Sequence, residues 1–177
     1  MLRRAGFTFE VAVPQIDELA TPHLSLRELT LANASRKAGL IAQERADAVV
    51  LAADTLVALD GEIIGKPRHI DEAREILRRL SGRVHDVCTG VFVVARTQRK
   101  FAGFAEISRV RFRKLNDQAI DDYFCKVNPL DKAGAYAAQG KGGEIIASVD
   151  GSFTNVVGLP MEPTIAALAQ FGIYPRR

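Results

Sequence analysis

The sequence of 177 residues has no tryptophan, only two cysteines and three histidines, and no long apolar run; each shortage closes a class of function. Cys88 and Cys125 cannot build a disulfide framework or a paired-cysteine metal site. A reduced compartment is therefore expected, with both thiols acting as packing groups. His23, His69 and His85 lack metal-ligand spacing and read as surface or cap residues. No stretch approaches the roughly 18 apolar residues of a membrane span, and the N-terminal region lacks a secretory core, so a cytoplasmic protein is expected. There is no Gly-x-x-x-x-Gly-Lys-Ser/Thr loop and no Gly-x-Ser-x-Gly elbow, which argues against a P-loop enzyme and against an α/β-hydrolase.

What is present is an ordinary globular composition, 47% hydrophobic and 25% charged, on a chain long enough to bury a sizeable core as one domain. The net charge of +3 and pI near 9.0 would suit nucleic acid, but the basic residues are scattered. Arg109, Arg111 and Arg113 alternate along one strand, the pattern of a solvated face, so no nucleic-acid partner is expected.

Residues 7–13 read as a strand that ends at Pro14. Ser25 with Glu28 forms a capping box, and Leu31, Ala34, Ala38 and Ile41 continue at helical spacing, predicting a helix over 25–45. Residues 48–53 form a continuous apolar run, the mark of a covered strand, extended over 55–59. Asp60-Gly61 then turns the chain into 62–64. Asp71 is expected to cap the next helix, stopped by Ser81-Gly82. A long hairpin follows over 84–95 and 101–113, then a helix opened by Asn116 or Asp117. A glycine-rich loop over 134–143 leads into a strand over 144–149, and Pro160 precedes the last helix. The pattern predicts an α/β fold with a mixed sheet and flanking helices.

Chemistry concentrates at a few points. Asp54 closes the apolar run, where α/β sheets place ligands; it could hold a cation or act as a base on water, or simply bond the local backbone at a strand kink. Gly65-Lys66-Pro67 presents an ammonium on a turn, suited to phosphate or merely solvated. Asp131-Lys132-Ala133-Gly134 repeats the lysine-glycine pattern. With Lys37 at the edge of the helix's apolar stripe and a second carboxylate at Glu18, these residues would suit a metal-bound triphosphate if the loops meet. Tyr136 either stacks on a ligand or packs in the core.

Five stretches carry a family resemblance: Ala53-Asp54-Thr55; Gly65-Lys66-Pro67; Leu80-Ser81-Gly82-Arg83-Val84-His85 with Thr89-Gly90; Asp131-Lys132-Ala133-Gly134-Ala135-Tyr136 with Gln139-Gly140; and Asn155-Val156-Val157-Gly158-Leu159-Pro160. In this order they resemble the Maf family of nucleoside triphosphate pyrophosphatases. The resemblance implies a two-lobed fold with a mixed twisted sheet, like that of inosine triphosphate pyrophosphatases, with substrate in a cleft. It implies hydrolysis between the α and β phosphates with a divalent cation, usually magnesium or manganese. Asp54 matches the family's proposed base. Lys37, Lys66 and Lys132 match phosphate-holding lysines, and Glu18, in Ile16-Asp17-Glu18, matches an acidic residue associated with metal or water. Thr55 and Gln139 match specificity residues of the branch acting on dTTP and UTP, and a neutral amide suits the donor and acceptor edges of uracil or thymine. A nucleoside triphosphate is thus the expected partner, without membrane or nucleic acid, and a homodimer is the assembly considered. A non-catalytic nucleotide-binding regulator of cell division is the alternative.

Two departures accompany the resemblance. Family members open with a strand and a Ser-x-x-Arg-Arg loop feeding a helix that ends much as Leu2-Arg3-Arg4-Ala5-Gly6-Phe7 does. Arg3 and Arg4 align with that helix's last turn and do not take the roles of the loop arginines. Either the translation start is placed too late or the chain is a shortened form with weakened activity; the first is expected, because loss of a core strand would cost more than a typical stability margin of about 5–15 kcal/mol. Val127-Asn128 stands where many members have Gly-Glu.

Overall fold

Side-chain caps decide where the helices begin. The computed structural model describes residues 1–176. Helix α1, Leu26–Glu44, carries the complete capping box: Ser25 Oγ accepts from the Glu28 amide, and the Ser25 amide donates to the Glu28 carboxylate at 2.8 Å. Helix α2, Ile70–Leu80, is capped by His69, whose Nδ1 accepts from the Glu72 amide at 3.2 Å. The cap expected at Asp71 is thus displaced two residues. Asp71 lies instead in the first turn, where a carboxylate favours the helix dipole and pairs with Arg74 at 3.0 Å. Asn116 caps α3, Asp117–Phe124. Ser152 caps a single turn, α4, Phe153–Val156, that the sequence pattern did not predict. Pro160 precedes α5, Met161–Ala169.

The strands are β1, Val49–Leu59; β2, Glu62–Ile64; β3, Val84–Ala95; β4, Lys100–Phe112; and β5, Ile146–Asp150. They form one sheet in the order β2-β1-β3-β4-β5. The β1–β2 and β4–β5 pairs are antiparallel. Asp60 and Gly61, at φ 53° and 84°, make the mirror-image turn whose twist suits a tight hairpin.

Residues 7–13 are not a strand, contrary to their β-branched pattern. Strand β2 pairs with β1 only over Val57–Leu59, so the first half of β1 has no strand on that edge. A cavity of about 730 Å³ is lined there by residues 7–12 together with 48–53. A segment with strand propensity needs a ladder partner at hydrogen-bonding distance, and here the cavity takes that place. Val11 and Val13 accordingly remain 73% and 78% exposed.

The chain forms two compact units. The first comprises Met1–Asp54, Thr89–Glu106 and the residues from Gly158 onward. Its core gathers Phe7, Val93, Ala95, Ala167, Leu168 and Phe171. Within it β3 meets α1 backbone to backbone, because a Cβ on Gly90 would lie 2.4 Å from the Thr30 carbonyl carbon. That contact explains the glycine of Thr89-Gly90.

The second unit comprises Thr55–Cys88 and Ile107–Val157, with a core that includes Leu77, Leu80, Phe112, Ile120 and Tyr136. His85 belongs to this core rather than to the surface or a cap. On β3 it shares a face with Val87, since side chains two apart point the same way. Its ring meets Phe112 and Tyr136 edge-on, and Nε2 lies 2.9 Å from the Tyr136 hydroxyl. Nδ1 is buried with no hydrogen-bond partner, and burial pushes the imidazole down to about 4. Among the described residues, no helix is long and apolar enough to cross a membrane.

Two outcomes follow from these cores. Gly90→Ala forces β3 away from α1 and lowers unfolding free energy by about 1–3 kcal/mol or more, measurable in urea. His85 is neutral in the fold but protonates near pH 6.5 when unfolded, so its contribution is complete above that pH and is lost as pH falls through about 4. The full loss is on the order of 3 kcal/mol, and His85→Gln should flatten this part of the pH–stability curve. An equal slope in the variant would contradict the buried neutral imidazole.

Candidate active site

Positions four apart share one face of a helix, so Asn33 and Lys37 leave α1 in the same direction. Both reach Asp54, which ends the part of β1 that belongs to the first unit. Lys37 Nζ donates to Asp54 Oδ1 at 2.6 Å and to Glu18 Oε1 at 2.5 Å. Asn33 Nδ2 donates to Asp54 Oδ2 at 3.2 Å. Glu18 lies in an irregular segment, which α1 holds in place. Asn33 Oδ1 accepts from the Leu19 amide at 2.7 Å, its Nδ2 donates to the Leu19 carbonyl at 3.3 Å, and Arg36 donates to the Asp17 carbonyl at 2.9 Å.

Glu18, Lys37 and Asp54, widely spaced in sequence, therefore form one cluster. Asn33 completes it and was not among the sequence candidates. The available signal was a polar residue four positions before Lys37, on the same side of the helix.

The cluster holds one ammonium and two carboxylates. Asp54 is 5% exposed, and burial raises its pKa above the ordinary carboxylate value. Hydrogen bonding and charge from Lys37 pull it down, Glu18 pushes it up, and Asn33 pulls it down; the net direction is upward. For Lys37 burial works against the charge, but hydrogen bonds and charge from Asp54 and Glu18 outweigh it, raising the ammonium above its usual range. Removing one partner from such a pair typically costs about 3–5 kcal/mol if the other stays charged. Each Asp54 oxygen has a protein donor, leaving one lone-pair direction on each for water or a cation.

This donor set fits a hard divalent cation. Magnesium is commonly held by one or two carboxylates together with substrate phosphates. Glu18 and Asp54 offer two carboxylates with one charge unbalanced by Lys37. Among the described residues no group of three or more His, Cys, Asp or Glu is arranged to hold an ion. A cation at Glu18 and Asp54 would therefore draw further ligands from substrate and water.

The second unit carries Lys66, Lys132, Gln139 and Thr55. The two lysine loops meet: the Gly134 amide donates to the Gly65 carbonyl at 3.2 Å. Lys66 is exposed, while Lys132 is half-buried and bonds Asp131 at 2.6 Å. The Lys132 hydrogen bond holds the Asp131 carboxyl below its usual range; burial opposes this, and the charges of Lys132 and Lys66 assist it. Gly134 and Ala135 are both left-handed, at φ 72° and 59°. For alanine this costs on the order of 1–2 kcal/mol, which the surrounding contacts sustain. Tyr136 is a core residue, 6% exposed, and Gln139 is exposed at the start of the turn Gly140–Ile145. Thr55 follows Asp54 on β1 and is half-buried.

The Maf-like protein family matches residues 1–171. Among similar proteins, a dTTP/UTP pyrophosphatase of Symbiobacterium thermophilum is 45% identical over 99% of this chain and 89% of its own length. A dTTP/UTP pyrophosphatase of Bacillus cereus is 38% identical over 98% of this chain and 90% of its own, and one of Bacillus anthracis matches to the same extent. A family match over nearly every residue, with relatives this similar across the same span, establishes that this chain belongs to the Maf-like protein family.

Proposed function

We propose that this protein is a nucleoside triphosphate pyrophosphatase that hydrolyses dTTP and UTP to the monophosphate and pyrophosphate. The observation that carries the reading is Asp54: a buried carboxylate with a raised pKa, oriented by Lys37 and Asn33, in a chain whose similar proteins bear that activity as their name.

In this reaction water attacks the α phosphorus. An oxygen–phosphorus bond forms, the bridge to the β phosphate breaks, and pyrophosphate departs. Asp54 takes the proton that water loses, and its raised pKa makes it a stronger base than an exposed aspartate. Glu18 and Asp54 would hold a magnesium or manganese ion, which supplies neutralisation of the triphosphate charge. Lys37 has three donor hydrogens and spends two on carboxylates, leaving one for a phosphate oxygen. Lys66 and Lys132 serve the remaining phosphates as point charges. Gln139 reads the base through its amide, with Thr55 as a second specificity contact. A cytoplasmic location accompanies this reading.

Pyrophosphate release from dTTP and UTP, measured with magnesium or manganese, should fall by about a hundredfold or more in Asp54→Asn. Unchanged turnover would remove Asp54 as the base. Nucleotide binding without turnover in the unaltered protein would replace the enzyme by a binding-only regulator. The acidic limb of kcat/KM should lie above the ordinary aspartate range. Lys37→Met should move it higher still, because the ammonium is what lowers the Asp54 pKa. A limb that stays or moves down would contradict the pairing.

A further inference from the structure

Gln139 stands on a turn that is fixed at both ends. Ala137, two residues before it, is held by the hydroxyl of Tyr123 on α3: the Ala137 amide donates to that oxygen at 3.0 Å, and the hydroxyl lies 3.5 Å from the Ala137 carbonyl. One side chain thus engages both backbone groups of one loop residue. Beyond Gln139, Gly142 abuts the same carbonyl so closely that a Cβ there would lie 2.3 Å from it. The Gly142 amide also donates to the Gln139 carbonyl at 3.1 Å. Upstream, Tyr136 is anchored to His85, and Gly134 to Gly65.

Tyr123 is 2% exposed, and neither its spacing nor its type marks it as a site residue. A buried tyrosine commonly uses its hydroxyl to satisfy one backbone group of the core. Here that group belongs to the turn that presents an exposed glutamine, and the turn has no regular strand or long helix to hold its shape. We infer that Tyr123 is a positioning residue for base selection: its hydroxyl fixes the turn 137–142 so that the Gln139 amide meets the base in one orientation. The role rests on the hydrolase reading. Uracil and thymine present an acceptor at the ring position where cytosine presents a donor. An amide held in one orientation discriminates between them, and one free to rotate does not.

The test is pyrophosphate release from UTP and CTP by the full chain, its Tyr123→Phe and Gln139→Ala variants, and the double variant. Losing one ordering hydrogen bond of about 1 kcal/mol corresponds to about fivefold. Tyr123→Phe should raise KM for UTP by about that factor, with kcat within about twofold, and should lower the UTP/CTP preference similarly. Gln139→Ala should lower the preference at least as much, and the double variant no further, because Tyr123 acts through Gln139. Gly142→Ala, which displaces the Ala137 carbonyl from the other end, should give the same loss of preference. A preference retained in both Tyr123→Phe and Gly142→Ala, or losses that multiply in the double variant, would overturn the role. Absence of turnover by the unaltered chain would overturn the hydrolase reading and this role with it.

Discussion

The candidate site depends on the balance between burial of the Asp54 carboxylate and its contacts with Lys37 and Asn33. Removal from water disfavours the ionised form, Glu18 adds a like charge, and one ammonium shared between two carboxylates compensates only in part. The result is a carboxylate that is oriented and more basic than an exposed one. The unbalanced negative charge is what the proposed cation would neutralise. A fully compensated pair would be neither as basic nor as receptive.

That balance needs α1 and β1 held at fixed separation, and the backbone contact at Gly90 helps provide it. With no side chain at Gly90, α1 packs against β3, and the same helix carries Asn33 and Lys37 toward Asp54. In the second unit the restraint is made differently. Left-handed residues at Gly134 and Ala135, the bond between the lysine loops, and the tyrosine hydroxyls give definite shape to a segment without long regular structure. The proposed chemistry is thus supported by backbone proximity in one unit and by side-chain anchors in the other.

Much of this was legible in the sequence wherever the determinant was local. The capping box of α1, the Asp60-Gly61 turn, the long hairpin and the start of α3 all follow from residues within a few positions of each other. Glu18, Lys37 and Asp54 were identifiable as chemistry, and their meeting was not, because it depends on how an irregular segment lies against α1. Asn33 carries no mark in the sequence, since a buried asparagine has no signature without its partners. Residues 7–13 misled because strand propensity expresses itself only beside a ladder partner. His85 misled because its burial follows from the β3 register, not from its own chemistry. The cap expected at Asp71 falls to His69, because an imidazole nitrogen accepts a backbone hydrogen bond as a carboxylate would.

The most direct test of the account is the titration of the Asp54 carboxyl carbon by carbon-13 magnetic resonance, assigned with Asp54→Asn. Burial of the carboxyl should place the midpoint above the ordinary aspartate value of 3.8 in the unaltered protein. A midpoint at or below that value would show that Lys37 outweighs burial, and would contradict Asp54 as a carboxylate made more basic by its surroundings.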